Sequence, residues 1–191
     1  VVVDPRRTET ADLADEHIPI RPGTDALFFA AMLHVIFAER LTRLDALHDR
    51  VQHLDVLEEF ARDLPPERVA RTTGVPADAL RKLAVEFAST PRAAGYGRVG
   101  LCTQRHGTLA CWLLQALNLV TGHLDQVGGM MFTTPAVNVV GLLSALGLGG
   151  TFDRWRSRVQ RLPEFGGDLP VAALSEEIET RGEGRVRALV T

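Results

Sequence analysis

The sequence has few cysteines and no apolar run long enough to cross a membrane. Cys102 and Cys111 are its only cysteines, and two so widely spaced cysteines do not make a zinc knuckle or a disulfide framework. No charged and then apolar leader opens the chain, and its apolar stretches stop well short of the roughly 18 residues that a membrane helix needs. We expect a cytoplasmic protein, with periplasmic export of a full-length chain as the alternative.

Acidic and basic residues are also nearly balanced in number. The net charge is -3 and charged residues make up 24% of the chain, so nothing attracts it generally to nucleic acid or to anionic lipid. Lysine is nearly absent, because 21 basic residues include only Lys82. Several arginines lie between residues 152 and 168, and on a net acidic chain we interpret them as charged positions in a surface loop. We therefore expect neither nucleic-acid binding nor membrane insertion.

The pattern of apolar runs predicts an α/β fold. Strands are predicted at 1–4, 17–20, 93–98 and 185–190, and helices lie between them, which is typical of a Rossmann-like, largely parallel sheet flanked by helices. We expect residues 1–125 to belong to an α/β domain, 126–184 to form a loop-rich and helical connection, and 185–191 to be a strand entering the next part of the sheet. The main predicted helices span 25–41, 44–64 in two pieces, 66–71, 76–89, 107–121 and 170–181.

The glycine-rich G-x-G-x-x-G turn of dinucleotide-binding folds is absent. Its absence is explained if the first strand of the unit precedes Val1. The chain begins within an apparent strand and without methionine. We interpret it as an internal piece of a longer polypeptide.

The first 25 residues contain the strongest candidate site. Asp4 and Pro5 end an apolar strand, and a carboxylate at a strand's carboxyl edge can accept two ribose hydroxyls. Asp25 begins a long apolar helix beside the same edge. The alternative is structural: Asp4 starts a turn, and Thr24 or Asp25 is a helix N-cap.

A second candidate edge follows the predicted strand at 93–98. Gly100 lets the backbone approach a bulky ligand, and Thr103 and Gln104 can each donate and accept hydrogen bonds. The alternative is a plain strand-to-helix turn. Cys102 could in principle bind a metal or act as a nucleophile, but apart from His106 no base lies nearby in sequence, so we predict neither role.

Two blocks resemble one enzyme family, in the expected order and at the expected distance. They are DPRRTETADLADEHIPIRPGTDALFFAAMLHVI at 4–36 and GRVGLCTQRHGTLACWLLQALNLVTGHLDQVGGMMF at 97–132. Both are similar to the molybdopterin-dependent oxidoreductases of the dimethyl sulphoxide reductase superfamily, which includes formate dehydrogenases and nitrate reductases. In that family the region PPERVARTTGVPADALRKLAVEFA at 65–88 is a helical cover on the nucleotide-binding sheet.

The resemblance implies a cofactor, bis-molybdopterin guanine dinucleotide with molybdenum, of which this chain would hold one guanine dinucleotide arm. Three loops match the family's cofactor-binding loops. The loop at the guanosine end matches at Asp4, Pro5, Arg6, Arg7 and Thr8; the turn whose aspartate reads guanine matches at Gly23, Thr24 and Asp25; and the loop near the pterin matches at Val99, Gly100, Thr103 and Gln104. Thr103 and Gln104 compete for one family position.

The resemblance also implies two-electron chemistry on a small substrate of the formate or nitrate type. The iron–sulphur cluster and the molybdenum ligand are expected outside this chain, which has no assigned catalytic or metal-binding residue and should be inactive alone. Its expected partners are the rest of the catalytic chain and electron-transfer subunits. Residues 130–140 lack the arginine that formate dehydrogenases carry near the metal, which counts against plain formate dehydrogenase chemistry.

Two other functions remain open on the sequence. One is a cofactor-free interaction module that has kept the α/β scaffold. The other is a different nucleotide-binding α/β enzyme that uses Asp4 on a ribose.

Overall fold

The computed structural model describes residues 1–147 and 152–190 and divides into two compact units, Val1–Phe132 and Thr133–Thr191. None of the helices in these described ranges combines the length and the apolar character that crossing a membrane requires.

The first unit is mainly helical, with one short strand pair. Its strands are β1 (Val2–Val3) and β2 (His17–Ile18), and a 3₁₀ helix spans Asp45–Arg50. Its α-helices are α1 (Glu9–Leu13), α2 (Asp25–Ala38), α3 (Leu54–Arg62), α4 (Pro66–Thr73), α5 (Ala77–Ser89), α6 (Val99–Cys102) and α7 (Gly107–Val120).

Helix α2 is the centre of the core. Its residues are apolar almost all the way round, and a helix of that kind is stable in water only when other elements cover it. Helices α3, α4, α5 and α7 supply the cover. Ala30 and Ala31 are almost completely buried, and their small side chains leave room for close helix packing. Phe28, Leu33 and Ile36 fill the space between the helices.

Strands β1 and β2 are parallel, with Val2 opposite His17 and Val3 opposite Ile18. The Asp4 N–H extends the pairing by donating to the Ile18 carbonyl at 3.2 Å. Strands are thus confirmed within 1–4 and 17–20, although each is shorter than predicted. Because the pair is parallel, Asp4 and the chain that follows Ile18 leave from the same end.

The prediction of a strand at 93–98 is wrong, because this segment pairs with no other strand. Its backbone is held by a side chain of α7. The Gly95 N–H donates to Asn118 Oδ1 at 2.8 Å, and Asn118 Nδ2 donates to the Gly95 carbonyl at 3.0 Å. The buried amide therefore satisfies the two groups that a neighbouring strand would otherwise pair. Besides the β1–β2 pair, the described residues of this unit show only single parallel bridges, at Arg43–Thr121 and Leu124–Met130, so a larger Rossmann-like sheet is not seen.

The predicted loop at 100–104 is also partly wrong, since α6 forms one helical turn there. Helix α7 starts directly against the end of α6. A Cβ at Gly107 would lie only 2.0 Å from the Cys102 carbonyl oxygen, so this close approach requires glycine.

The second unit contains helix α8 (Val139–Ala145), strands β3 (Phe152–Arg156) and β4 (Pro163–Phe165), a 3₁₀ turn at Val171–Ala173 and helix α9 (Leu174–Glu179).

The surface loop predicted at 152–168 is instead an antiparallel hairpin formed by β3 and β4. Its organising side chain is Glu164, only 2% exposed. This carboxylate accepts the N–H of Arg154 and that of Gly167, both at 2.9 Å. A single polar side chain thus shapes the hairpin, which apolar periodicity cannot predict.

The helix predicted at 170–181 is confirmed over a shorter length. The strand predicted at 185–190 is wrong, because those residues belong to no strand. This segment packs on the preceding helix instead: the Val186 N–H donates to the Glu177 carbonyl at 3.2 Å. Residue 191, the last of the predicted strand segment at 185–191, lies outside the described residues.

We predict that Asn118→Ala destabilises the first unit by about 2 kcal/mol, because the half-buried N–H and carbonyl of Gly95 would lose their partners. Chemical denaturation monitored by circular dichroism measures the change. The control is Gln115→Ala, which truncates an exposed amide on the same helix and should change stability by less than about 0.5 kcal/mol. Equal losses in the two variants would show that the Asn118–Gly95 pair adds no stability.

Candidate functional site

The Asp4 loop is held mainly by its own residues. Asp4 Oδ1 accepts the Arg6 N–H at 2.8 Å, and the Asp4 carbonyl accepts a hydrogen bond from His17 Nε2 at 2.9 Å. These contacts form the turn that the structural alternative predicts. They leave the carboxylate with further lone pairs, since an ionised carboxyl group accepts about four hydrogen bonds.

The cationic and capping residues of this loop also have partners within it. Arg7 Nε lies 2.6 Å from Asp12 Oδ1, and both side chains are more than 60% exposed. An exposed ion pair of this kind contributes at most about 1 kcal/mol, so a stronger anionic partner could displace Asp12. Thr8 caps α1 by accepting the Ala11 N–H at 3.3 Å. Pro5 and Arg6 are exposed.

At the start of α2, the capping alternative is only half correct. Thr24 occupies the N-cap position, but its hydroxyl donates back to the Arg21 carbonyl at 2.7 Å and makes no capping bond. Asp25 is the first helical residue, so it is not the N-cap. Its carboxylate instead contacts a different part of the chain, since Asp25 Oδ2 accepts a hydrogen bond from Gln104 Nε2 at 2.7 Å.

Gln104 joins two of the three predicted loops. Besides Asp25, its Nε2 group lies 3.3 Å from the Gly100 carbonyl. Its other end, Oε1, is buried and has no hydrogen-bond partner among the described residues. Gly23 approaches the same oxygen, because a Cβ built there would lie 4.0 Å from it. An orphaned buried acceptor costs about 1–3 kcal/mol, so this position favours an added donor.

Thr103 and Gln104, which compete for one position of the family's loop near the pterin, have different surroundings. Gln104 is half-buried and contacts Asp25, whereas Thr103 is exposed and its hydroxyl donates to the Val99 carbonyl at 2.8 Å. Val99 is also exposed. Gly100 faces open space, with nothing within 4 Å of a Cβ built on it. The structure thus joins Gly23, Asp25, Gly100 and Gln104, which we call the Asp25–Gln104 site.

Two neighbours of this site were missed by the sequence analysis. Arg98 Nη1 donates to the Tyr96 hydroxyl at 2.7 Å. This hydrogen bond, together with the nearby Tyr96 and Cys102 groups, raises the pKa of Arg98 above its ordinary value. Cys111 lies beside Cys102 across the α6–α7 contact. Their nine-residue separation matches no helical or strand period, so sequence spacing alone does not predict the pair.

Metal-binding groups do not cluster in the part of the chain that the structure describes. There, no set of three or more histidine, cysteine, aspartate or glutamate side chains is arranged to hold a metal ion. The Asp25–Gln104 site offers hydrogen-bond acceptors, the Asp25 carboxylate and the Gln104 amide oxygen, beside exposed backbone at Gly100.

No family model matches the chain, but individual proteins do. A periplasmic nitrate reductase from Desulfovibrio desulfuricans is 30% identical over 142 residues, 70% of this chain and 19% of that protein. Formate dehydrogenase H from Escherichia coli is 32% identical over 126 residues, 66% of this chain and 18% of the relative. Acetylene hydratase from Syntrophotalea acetylenica is 39% identical over 89 residues, 47% of this chain and 12% of the relative.

A solved structure of an acetylene hydratase is also similar to this chain. Acetylene hydratase from Pelobacter acetylenicus matches with a TM-score of 0.60 and 34% identity, covering 63% of this chain and 17% of that one. The chain therefore spans only 12% to 19% of the length of the relatives described.

We predict that Gln104→Glu destabilises the first unit by roughly 1–2 kcal/mol at pH 7, because it places a second carboxylate against Asp25. The deficit should shrink as the pH falls to about 4, since protonation of either carboxyl removes the repulsion. Denaturation curves at both pH values measure it. The control is Gln115→Glu, an exposed glutamine of α7, which should show no comparable deficit; a deficit in Gln104→Glu that is the same at both pH values would contradict the contact.

Proposed function

Because this chain belongs to the molybdopterin-dependent oxidoreductases of the dimethyl sulphoxide reductase superfamily, we propose that its Asp25–Gln104 site holds one guanine dinucleotide arm of a bis-molybdopterin guanine dinucleotide cofactor. The observation that carries the proposal is the 2.7 Å contact between Asp25 and Gln104, 79 residues apart in the chain. It joins two loops that were each matched to the family's cofactor loops from sequence alone.

The acceptors of the site suit the donor edge of guanine. Guanine presents N1–H and N2–H₂ side by side, and a carboxylate can accept both at once. Gln104 uses one of the roughly four lone pairs of Asp25, so acceptors remain for the base. The orphaned Oε1 of Gln104 offers a further acceptor beside them. In this proposal Gln104 also fixes the orientation of the carboxylate before the base binds.

The other two loops would hold the rest of the arm. Asp4 at the end of β1 suits the ribose hydroxyls of the guanosine, and the exposed guanidinium groups of Arg6 and Arg7 suit phosphate. Pro5 and Thr8 would shape this loop, Thr8 by capping α1. Gly23 and Thr24 would form the turn that presents Asp25, since Gly23 has a φ of +80°.

The pterin end would lie against the start of α6. Val99 and Gly100 are exposed there, and the space beside Gly100 is open, as close approach of a flat ring system requires. Thr103 lies one turn further along and would line the same edge. When bound, the cofactor supplies the redox chemistry; the residues of this chain bind it, orient it and exclude water from its guanine end.

We further propose that β1 and β2 are part of a larger, largely parallel Rossmann-like sheet in the full-length protein. The full-length protein would be a cytoplasmic enzyme, and its iron–sulphur cluster, molybdenum ligand and electron-transfer partners would lie outside these residues. Its reaction would be a two-electron conversion of a small substrate of the formate or nitrate type. The named relatives act on different substrates, so the substrate itself must be found by assay.

We predict that Asp25→Asn in the full-length enzyme weakens cofactor binding by about 2–3 kcal/mol, because asparagine places an NH₂ donor against a guanine donor. Molybdenum and guanine content per protein, measured after dilution or under limiting cofactor supply, give the result, since a tightly held cofactor masks a loss of this size. Asp78→Asn is the matched control, because Asp78 is an exposed acid in the first turn of α5. Equal retention in the two variants would remove the guanine-reading role of Asp25.

A second prediction concerns Gly100→Ala. The added methyl group meets no atom within 4 Å, and alanine favours α6 more than glycine does, so the melting temperature should be unchanged or slightly higher. Cofactor retention should nevertheless fall about tenfold or more, because the methyl group occupies the space that the pterin needs. Full retention with an unchanged melting temperature would show that no ligand approaches this backbone.

A further inference from the structure

Two thiols lie against each other beside the proposed site. Cys102 is the last residue of α6 and Cys111 lies in the second turn of α7, and their Sγ atoms are 3.5 Å apart. Both are free cysteines. Gly107 makes this approach possible, because any larger residue there would collide with the Cys102 carbonyl. The close contact is therefore built into the junction of the two helices.

The surroundings of the two thiols differ. Cys102 is exposed, so a small molecule can reach it, whereas Cys111 is half-buried and packs against the core. Burial, followed by the hydrogen bond with Cys102 and the charge of that group, raises the pKa of the Cys111 thiol. The more accessible of the two thiols is therefore that of Cys102. Cys102 is thus the thiol that reacts first.

We propose that Cys102 and Cys111 form a redox-active dithiol, which a small-molecule disulfide such as oxidised glutathione converts into an intramolecular disulfide. This inference does not depend on the proposed cofactor. The two Sγ atoms must close from 3.5 Å to about 2.05 Å, a displacement that small side-chain rotations and a slight helix shift can supply.

The reaction is two successive thiol–disulfide exchanges. The Cys102 thiolate attacks one sulfur of oxidised glutathione, the S–S bond of the oxidant breaks, and one glutathione thiolate leaves. Cys111 then loses its proton to solvent and attacks Cys102 Sγ, forming the Cys102–Cys111 bond and expelling the second glutathione. The protein loses two electrons and two protons, and the oxidant becomes two molecules of reduced glutathione.

The new bond would close the segment 102–111, which contains Thr103 and Gln104. It would tie the end of α6 to α7 and so restrict the loop that contacts Asp25. Reduction by a dithiol reagent would reverse the change. The pair is thereby a reversible covalent modification site at the α6–α7 junction.

The sequence makes the bond easy to detect in the full-length protein. Trypsin cleaves after Arg98 and Arg105, which separates Cys102, in VGLCTQR, from Cys111, in the peptide that starts at His106. After treatment with oxidised glutathione and blocking of the remaining thiols, we expect these peptides to be joined, with a mass two hydrogens below their sum. Dithiothreitol should separate them.

Two variants test the order of attack. In Cys111→Ser we expect Cys102 to retain a bound glutathione, because no second thiol is present to expel it. In Cys102→Ser we expect Cys111 to react at least tenfold more slowly, because it is half-buried. Cys111→Ala serves as a second variant if serine at this half-buried position impairs folding. A wild-type protein with glutathione stably bound at Cys102, with the two cysteines unmodified, or with bonds only between molecules would overturn the proposal.

Discussion

The first unit depends on the burial of helix α2. An apolar helix without a polar face cannot lie on a surface, so α3, α4, α5 and α7 must surround it. That arrangement fixes where α2 begins and where α7 begins. Asp25 stands at the first point and Gln104 just before the second. The contact between them is therefore a consequence of core packing, and the polar groups at the helix ends need no independent scaffold.

The helices could be predicted from sequence because each combines apolar periodicity with a clear start or stop. Gly74 ends α4 with a φ of +77°, and Pro66 and Pro76 stand where α4 and α5 begin. The segments 93–98 and 185–190 were predicted as strands but form none. A strand exists only when a partner pairs with it, and the sequence of one segment does not show whether a partner is present. The segment around Gly95 has the right composition, but its polar backbone groups are bound by the amide of Asn118.

The geometry of the candidate site could not be predicted from sequence, and which of its predicted residues come together could not be predicted either. Resemblance selected the loops around Asp25 and Gln104, whereas residue chemistry alone left capping and turn formation as alternatives. The choice between Thr103 and Gln104 depends on which side chain reaches back across the fold, and neither spacing nor composition contains that information. The Cys102–Cys111 pair shows the same limit, since it arises from Gly107 letting two helices meet closely.

The sequence separation of Asp25 and Gln104, 79 residues, also determines when the site forms during folding. Closing a loop of that length has an entropic cost that is recovered only when the intervening helices pack. We therefore expect the site to assemble in the same cooperative step as the core. Loss of core stability anywhere in the first unit should lower the fraction of molecules in which Asp25 and Gln104 are in contact, so this contact can be lost through substitutions far from both residues.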